Sequence, residues 1–463
     1  MAEKTFEEVQ THLITSGFVY PGSEIYGGLS NSWDYGPLGT LLKNHLKDLW
    51  LKHFVRGIEY NVQIDPAIIR NPKVWVATGH VANFHDPLVD CKYCHSRYRA
   101  DQIIHEQKPE LDVDGRSQDE LNKIRQSGEI KCPNCGKNEF TPIRQFQRRF
   151  KTFIGVTEDK QSEVYLRPET AQGIFVNFKN VRRTTRRKLP IGICDIGKSF
   201  RNEITPGNFT FRTREFEQRE IEFFFKPGED DKWFNFYKEN CKAFVEKLGL
   251  KDEKVRFRDH EPQELAFYSK ATTDIEYDFP TLGWGELRGI ACRGDYDLGR
   301  HRKASTQDLT YLDPETNQRY IPHVVEPSFG LDRLRLALLR DSYEVEELEG
   351  GKDSRIVRHL ARSLAPYTFA VRPLSNKLIA PAKELFDSLR YDFDCLFDTT
   401  GSIGKRYRRE DAIGTPLCIT YDFDSVNDHA VTVRERDSRK QERIPVASLK
   451  QYIRNFLDQE NVR

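Results

Sequence analysis

The chain has 463 residues, which at roughly 150 residues per domain predicts two to four folded units. With 38% hydrophobic and 31% charged residues, the composition is that of a globular protein and excludes a membrane protein or a disordered or collagen-like chain. The 72 basic and 71 acidic residues leave a net charge of +1, so total charge alone does not indicate a nucleic-acid partner. No signal-peptide layout and no membrane-length apolar run occurs, which predicts a cytoplasmic protein with no membrane partner.

Near the N-terminus, apolar residues recur at three- and four-residue steps from Leu38 to Val55, which predicts an amphipathic helix. A strand reaching Pro66 is expected after it. Residues 86–149 differ in character, with paired cysteines, a polar middle and few apolar runs, and are predicted to form an inserted subdomain.

Two Cys-x-x-Cys pairs lie within this insertion. Four thiolates suit a tetrahedral Zn²⁺ ion, and such a site has no open position, so we predict a structural zinc rather than a catalytic one. The alternative is two unrelated cysteine pairs. The ligands would be Cys91, Cys94, Cys132 and Cys135. The other five cysteines, in apolar or strand-like contexts, are predicted to be core residues: Cys194, Cys241, Cys292, Cys395 and Cys418.

Between about Glu163 and Asp297, β-rich runs alternate with Gly, Pro and charged turns, which predicts an antiparallel sheet flanked by helices. The acidic segment from Ser342 to Gly351 is predicted to be a solvent-exposed connection. After Pro366, strand and helix patterns alternate, which predicts a small mixed α/β domain reaching the C-terminus.

Two segments suggest a nucleotide site, although no Walker-type loop is present. The first is Phe200-Arg201-Asn202-Glu203, followed by a turn and the run from Phe211 to Glu220. Here an arginine is placed to clamp a phosphate while an aromatic ring stacks on a base. The second runs from Glu326 to Arg333, where a strand-to-helix junction delivers an arginine on the first turn. Taken singly, each segment is also compatible with an ordinary solvated face.

In this order, the two segments resemble motifs 2 and 3 of the class II aminoacyl-tRNA synthetases, and the helix from Leu38 to Val55 with its strand resembles motif 1, which builds the dimer interface in that family. Three further blocks are similar to the glycine-specific, homodimeric branch of the family: Arg167 to Phe175, Thr273 to Asp278 and Gly283 to Ala291. The resemblance implies an α+β catalytic domain (1–85 and 150–342), the insertion (86–149), a connection (343–365) and a mixed α/β anticodon-binding domain (366–463).

The family resemblance also implies an ATP site with Mg²⁺. Arg201 would contact the α-phosphate and Arg333 the γ-phosphate, and these two arginines are the predicted catalytic residues. Phe216 would stack on adenine opposite Arg333, with Glu203 holding the adenine amino group. The full predicted ATP set is Arg201, Asn202, Glu203, Phe211, Arg212, Phe216, Glu286, Leu287, Gly330 and Arg333.

Glycine offers no side chain to grip, so its recognition must use the ammonium group and steric exclusion of larger substrates. By resemblance, carboxylates crowd the ammonium while Arg99 meets the glycine carboxylate. The predicted glycine set is Arg99, Glu169, Phe216, Gln218, Glu220, Glu326 and Ser328. Such a cluster is expected to couple its protonation to substrate binding.

The implied partner is tRNA(Gly), with a second copy of the chain as dimer partner. Basic residues crowd three segments that are predicted to face RNA phosphates: Lys179, Arg182, Arg183, Arg186, Arg187 and Lys188; Lys405, Arg406, Arg408 and Arg409; and Arg144, Arg148, Arg149 and Lys151. The predicted activity is ligation of glycine to tRNA. A synthetase-like nucleic-acid-binding protein without catalysis and a ligase for another amino acid are the alternatives.

Overall fold

The structure is a computed structural model that describes residues 6–111, 113, 116–266, 268–280, 282–347 and 353–459. Within these ranges, no helix combines the length and the apolar character needed to cross a membrane.

The N-terminal segment confirms the predicted long helix. Its elements are α1 (Phe6–Thr15), β1 (Val19–Pro21), β2 (Trp33–Tyr35), α2 (Pro37–Trp50), β3 (Asn61–Gln63), α3 (Lys73–Ala77) and α4 (His80–Asn83). Pro37 suits the first turn of α2, because its φ is already set for a helix and its missing N–H is not needed there. A π-helical stretch, Leu51–Arg56, continues α2. Leu42, Leu46 and Trp50 point into the main core and are fully buried.

The inserted unit has its own small core. It contains β4 (His85–Asp90), β5 (Arg97–Arg99), α5 (Ala100–Gln107), α6 (Gln118–Gln126) and β6 (Arg144–Gln147). The three strands form an antiparallel sheet with β4 in the middle. Helix α6 begins at a capping box, in which Ser117 and Glu120 satisfy each other's backbone N–H groups. Buried apolar residues from α5, α6 and the cysteine turns pack together.

The central unit is built on one seven-stranded sheet. Its elements are β7 (Lys151–Phe153), β8 (Glu163–Tyr165), α7 (Ala171–Thr185), β9 (Ile191–Phe200), β10 (Glu215–Phe225), α8 (Asp230–Lys247), β11 (Val255–Asp259), β12 (Ala271–Phe279), β13 (Gly283–Gly294), α9 (Tyr296–Ser305), β14 (Tyr311–Leu312), β15 (Arg319–Tyr320), β16 (His323–Gly330) and α10 (Leu331–Asp341). The strand order is β11-β12-β13-β16-β10-β9-β3. The predicted antiparallel sheet is correct for six strands, whereas the edge strand β3 pairs with β9 in parallel.

Strand β10 shows how this sheet separates a hydrophobic face from a polar one. Side chains alternate along a strand, so Ile221, Phe223 and Phe225 face the core formed with α2 and α8. Phe224, on the opposite face, packs against α7. Glu220 shares that opposite face, and the functional cavity therefore lies on the α7 side of the sheet.

The acidic segment after α10 differs from its prediction. Part of it forms β17 (Tyr343–Glu347), which pairs antiparallel with β18 (Ser354–Arg358). Arg355 on β18 binds the Glu346 carboxylate, so backbone pairing and an ion pair together order a stretch that its charge alone suggested was an exposed connection. Residues 348–351, the remainder of that predicted segment, lie outside the described residues.

The C-terminal unit confirms the predicted mixed α/β domain. Its elements are β19 (Phe369–Pro373), α11 (Ile379–Leu389), β20 (Cys395–Phe397), α12 (Ile403–Ile413), β21 (Leu417–Tyr421), α13 (Ser425–Asp428), β22 (Ala430–Glu435), β23 (Gln441–Pro445) and α14 (Val446–Asp458). The sheet order is β20-β19-β21-β22-β23, with parallel pairing around β19 and antiparallel pairing beyond β21.

Candidate active site

A cavity of about 300 Å³ opens on the α7 side of the seven-stranded sheet. Its walls come from β10, β13, β16, the residues after β9 and the start of α10. Most of the predicted ATP and glycine residues line it: Glu169, Arg201, Glu203, Phe211, Arg212, Phe216, Gln218, Glu220, Glu286, Leu287, Glu326, Ser328, Gly330 and Arg333. Segments that are far apart in the sequence thus line one cavity.

Three arginines line the basic end of the cavity, namely Arg201, Arg212 and Arg333, and two of them lie beside an aromatic ring. The Arg201 guanidinium lies 5.3 Å from the centre of the Phe216 ring, and its Nε donates to the Pro168 carbonyl at 3.1 Å. The Arg333 guanidinium lies 4.4 Å from the centre of the Phe211 ring. The centre of a second ring, that of Phe84, lies 5.6 Å from the Arg201 guanidinium. Both guanidinium groups keep donors available for phosphate oxygens.

Arg333 is also held by the residues around it. Its guanidinium stacks on Phe211 and donates to the Glu286 carbonyl at 3.0 Å and to its Oε2 at 3.1 Å. The expected stacking of adenine between Phe216 and Arg333 stays a prediction. Both phenylalanine rings line the cavity. The short helix 209–211 brings Phe211 there, and the linear spacing of the motif did not reveal that turn.

Arginines around Glu203 lower its pKa. Burial alone would raise this pKa, but the Arg148 guanidinium, which donates to the Glu203 carboxylate at 2.6 Å, lowers it together with Arg201 and Arg212. Arg148 also approaches Asp86 at 3.2 Å. Arg148 is therefore engaged with carboxylates beside the cavity, in contrast to its predicted place in an RNA-facing group.

At the other end of the cavity, Glu220 is surrounded by hydrogen-bond donors. Ser328 Oγ donates to Oε1 at 3.0 Å and Gln218 Nε2 donates to the same oxygen at 3.1 Å, while Thr170 Oγ1 donates to Oε2. Burial, assisted by the neighbouring carboxylates of Glu326 and Glu169, nevertheless raises the pKa of Glu220 to about 8. Glu220 is thus poised to ionise when a cation enters the pocket.

The pKa of Glu169 is shifted in the opposite direction from that of Glu220. Its Oε2 lies 3.2 Å from His80 Nε2, and Gln172 Nε2 donates to Oε1 at 3.0 Å. Burial would raise the pKa of Glu169, but His80, Arg293 and Gln172 lower it, so this carboxylate is ionised throughout the physiological range. The sequence analysis missed His80, because nothing in the local sequence of α4 links it to a carboxylate in a distant segment.

Glu326 also has a buried counter-ion that the sequence analysis missed. Arg293 on β13 donates through Nη1 to Glu326 and through Nε and Nη2 to Asp297, at 2.7 and 2.9 Å. Both Arg293 and Asp297 are buried. The only sequence signal was an Arg-x-x-x-Asp spacing across the β13–α9 junction, which is too common to assign a function.

A second polar cluster lies at the β12–β13 wall of the cavity. His260 Nε2 lies 2.7 Å from Asp274 Oδ2. Burial and the nearby Glu286 raise the pKa of Asp274 to about 6, although the hydrogen bond from His260 opposes them. A Cβ added at Gly289 would lie 3.4 Å from Asp274 and 3.7 Å from Glu286, so glycine keeps the space between these carboxylates open.

Two predicted residues lie outside the cavity lining. Asn202 faces a neighbouring depression with Trp33 and Phe200. Arg99, predicted to meet the glycine carboxylate, is held by Asp101 and approaches Asp86 at 3.7 Å. The structure therefore does not bring Arg99 into contact with the acidic pocket.

The four predicted zinc ligands do come together. All four sulfurs lie within 4.8 Å of one another, with Cys91 and Cys135 Sγ at 3.6 Å and Cys94 and Cys132 Sγ at 3.5 Å. Tetrahedral Zn–S bonds of about 2.3 Å place sulfurs roughly 3.8 Å apart, so the residues fit the ion. Both turns have the same form, since His95 and Gly136, each four residues after the first cysteine of its pair, adopt left-handed φ values of 57° and 73°.

Most of the other cysteines are core residues, as predicted. Four are buried, namely Cys194, Cys241, Cys292 and Cys418, whereas Cys395 is only partly buried.

The predicted RNA-facing groups differ in exposure. In the first, all members except the half-buried Arg182 are exposed: Lys179, Arg183, Arg186, Arg187 and Lys188. In the second, Arg406 is buried and donates to the Pro373 carbonyl at 2.7 Å, so it is a structural residue. In the third, Arg149 is buried with its guanidinium 4.2 Å from the centre of the Tyr165 ring. These differences in exposure depend on which helix face a residue occupies and on its hydrogen-bond partners. Neither can be read from a run of charged residues.

The antiparallel sheet, the motif arginines and the strand-to-helix junction at Arg333 together define the catalytic core of a class II aminoacyl-tRNA synthetase. Residues 150–343 match the family described as "tRNA synthetase class II core domain (G, H, P, S and T)", and residues 368–456 match "Anticodon binding domain".

Over 441 residues, the chain is 58% identical to a glycine–tRNA ligase of Bacillus anthracis, covering 94% of this chain and 96% of the relative. It is 57% identical over 457 residues to a glycine–tRNA ligase of Clostridium kluyveri (strain NBRC 12016), covering 98% of each. A glycine–tRNA ligase of Geobacillus kaustophilus (strain HTA426) is 57% identical over 453 residues, covering 97% of this chain and 98% of the relative. The chain belongs to the glycine–tRNA ligase family.

Proposed function

We propose that this enzyme joins glycine to tRNA(Gly) in two steps within the described cavity. The glycine carboxylate attacks the α-phosphate of ATP, giving glycyl-adenylate and pyrophosphate, and the terminal adenosine hydroxyl of the tRNA then takes the glycyl group and releases AMP. The observation that carries the proposal is one cavity with arginines at one end and clustered carboxylates at the other. It matches the two charges of the reactants, a polyphosphate and an ammonium.

At the phosphate end, Arg201 would stabilise the negative charge that shifts onto the α-phosphate in the transition state, where a preoriented cation is most effective. Arg333 would reach the γ-phosphate after exchanging its bond with Glu286. The adenine ring would stack on Phe216, with Arg333 on its opposite face; both residues line the cavity. Glu203 would accept from the adenine amino group.

Mg²⁺ is expected with ATP, and the Asp274 and Glu286 carboxylates on the cavity wall are the groups that would hold it. When bound, the ion neutralises phosphate charge and draws electrons from the leaving pyrophosphate. The residues fit this role because they are hard oxygen ligands close to each other, and Asp274 keeps a raised pKa in the absence of a cation.

At the acidic end, Glu169, Glu220 and Glu326 would surround the glycine ammonium, with Ser328 and Gln218 fixing the Glu220 carboxylate. One additional methyl group changes binding by only about 1–3 kcal/mol in a permissive pocket, so alanine has to be excluded by collision rather than by a lost contact. We also propose Arg99 as the partner of the glycine carboxylate. Because Arg99 does not line the cavity, this role requires the inserted unit to move toward it.

We further propose a structural Zn²⁺ on the four cysteines, a homodimer and a cytoplasmic location. For the dimer, β3 is an edge strand of the central sheet, and the loop between β1 and β2 exposes Ile25 and Tyr26 by 89% and 87%. Large apolar side chains in such an arrangement favour a protein partner. For tRNA, the exposed basic residues of α7 and Lys405 in α12 are the proposed phosphate contacts.

ATP–pyrophosphate exchange, measured with each amino acid separately, tests the proposed function. We expect exchange with glycine alone. Exchange with threonine or proline instead would assign a sister ligase, and exchange with no amino acid would favour a nucleic-acid-binding protein without catalysis. Charging of tRNA(Gly) with labelled glycine checks the second step independently.

A further inference from the structure

The register of the central sheet sets two glutamates against each other at the back of the acidic pocket. β10 and β16 run antiparallel with Glu220 opposite Ser328 and Phe223 opposite Val325, which places Glu222 opposite Glu326. Directly opposed residues hold their Cβ atoms about 4.5–5.5 Å apart, and like charges at that spacing are unfavourable. Two ionised carboxylates are therefore not expected to coexist there.

Glu222 is the member of this pair whose carboxyl group has no hydrogen-bond donor among the described residues. Its side chain is fully buried, and neither of its carboxyl oxygens receives a hydrogen bond from the described part of the chain. On the neighbouring strand β9 it pairs with Ile193, whose side chain is apolar. An isolated buried carboxylate is far costlier than a neutral acid, so the group takes up a proton.

The charged groups around Glu222 support the same assignment. Arg293, facing it from β13, donates to Asp297 and Glu326. Burial and Glu326 raise the pKa of Glu222 well above the usual range; Arg293 opposes this shift and Glu220 on the same strand adds to it. The Glu326 carboxylate is the acceptor within reach of the Glu222 proton.

We propose that Glu222 is a neutral carboxylic acid that donates a hydrogen bond to Glu326 and so holds the Glu326 carboxylate toward the substrate ammonium. Glu222 does not line the cavity and is a positioning residue. Arg293 and Glu222 would together fix Glu326 from behind and leave its remaining lone pairs directed at glycine. This inference rests on the proposed glycine site, and it adds a residue that no part of that proposal includes.

Two variants of similar volume separate the possible roles of Glu222. E222Q keeps a neutral donor, whereas E222L removes it. In ATP–pyrophosphate exchange we expect E222Q to keep the glycine KM within about threefold of the native value. E222L should raise the glycine KM by about 10- to 100-fold, the effect of losing a hydrogen bond to a charged group, with the ATP KM unchanged.

An infrared measurement tests the protonation state directly. The native protein in heavy water at neutral pH should show the carbonyl band of a buried carboxylic acid that is missing from E222Q; absence of that difference would overturn the proposal even if E222L did not fold. Equal losses in E222Q and E222L would mean that Glu222 acts as a carboxylate, and a native-like E222L would mean that it only fills space. Either result refutes the proposal. A native protein without glycine-dependent exchange would instead refute the proposed function, while the infrared band would still report on Glu222.

Discussion

The ionisation of Glu220 makes glycine binding dependent on pH, and this prediction follows directly from the pocket. With a pKa of about 8 in the free enzyme, Glu220 is ionised in roughly one molecule in ten at pH 7 and one in a hundred at pH 6. An ammonium in the pocket stabilises the ionised form. Because the raised pKa lies above the working pH, glycine affinity increases as pH rises and levels off above about pH 8.

The expected magnitude comes from the fraction of enzyme that is ready to bind. The apparent affinity is reduced by that fraction, so the glycine KM should fall about tenfold from pH 6 to 7 and about fivefold from pH 7 to 8. Glycine binding at pH 7 should also release close to one proton. The ATP KM, measured in the same ATP–pyrophosphate exchange assay, serves as the internal reference.

Two substitutions provide matched controls. Glu220→Gln removes the titrating group, so the glycine KM should be raised at all pH values and should lose its slope. Glu169→Gln should also raise the KM and keep a dependence on pH, because Glu220 still titrates. Its midpoint should move to lower pH, because the Glu169 carboxylate helps to raise the pKa of Glu220. A native KM that is flat between about pH 6 and 8, or a slope that persists in Glu220→Gln, would refute this reasoning.

Three further predictions concern the other sites. Arg201→Ala should lower the rate of exchange by at least about 10²–10³-fold, with a circular dichroism spectrum and a native molecular mass unchanged from those of the unsubstituted protein; near-normal exchange would remove Arg201 from the phosphate site. Cys132→Ser, or a strong chelator, should remove one zinc per chain by elemental analysis and open the inserted unit to proteolysis, whereas Cys395→Ser should change neither; a metal-free native protein would reject the zinc site. Arg406→Ala should lower the free energy of unfolding by about 3 kcal/mol, because it strands the carbonyls to which Arg406 donates. Lys405→Ala should leave that free energy within about 0.5 kcal/mol and weaken tRNA binding instead, and equal stability losses in denaturant melts would contradict the assignment.

Local patterns in the sequence were sufficient to predict many elements of the fold. The helix after Pro37 was predictable because its apolar spacing matches the helical period, and the C-terminal unit was predictable because strand and helix patterns alternate. The parallel pairing of β3 was not, since pairing direction depends on where a distant strand docks. The acidic segment was misjudged because its charge suggested solvent, whereas hairpin pairing and Arg355 order part of it.

The candidate site, like the fold, could be predicted only in part. The family resemblance named many of the residues that line the cavity, because its motifs can be recognised in a linear sequence, but it did not name others such as His260 and Tyr268. The counter-ions were not visible: His80 reaches Glu169 from a distant part of the chain, and Arg293 reaches Glu326 across two adjacent strands. Their effects on ionisation arise from burial and distance, which only the folded chain creates.

By itself, then, the sequence determined the chemistry that the protein carries: the motif arginines, the clustered carboxylates and the four thiols. Only the tertiary structure decided which of these groups are charged and available. Strand register opposes Glu222 to Glu326, burial makes Arg406 structural, and Asp86 and Asp101 hold Arg99 away from the pocket. The physical reason is that side-chain charge is a property of residue type, whereas solvation and partners depend on residues that are distant in sequence.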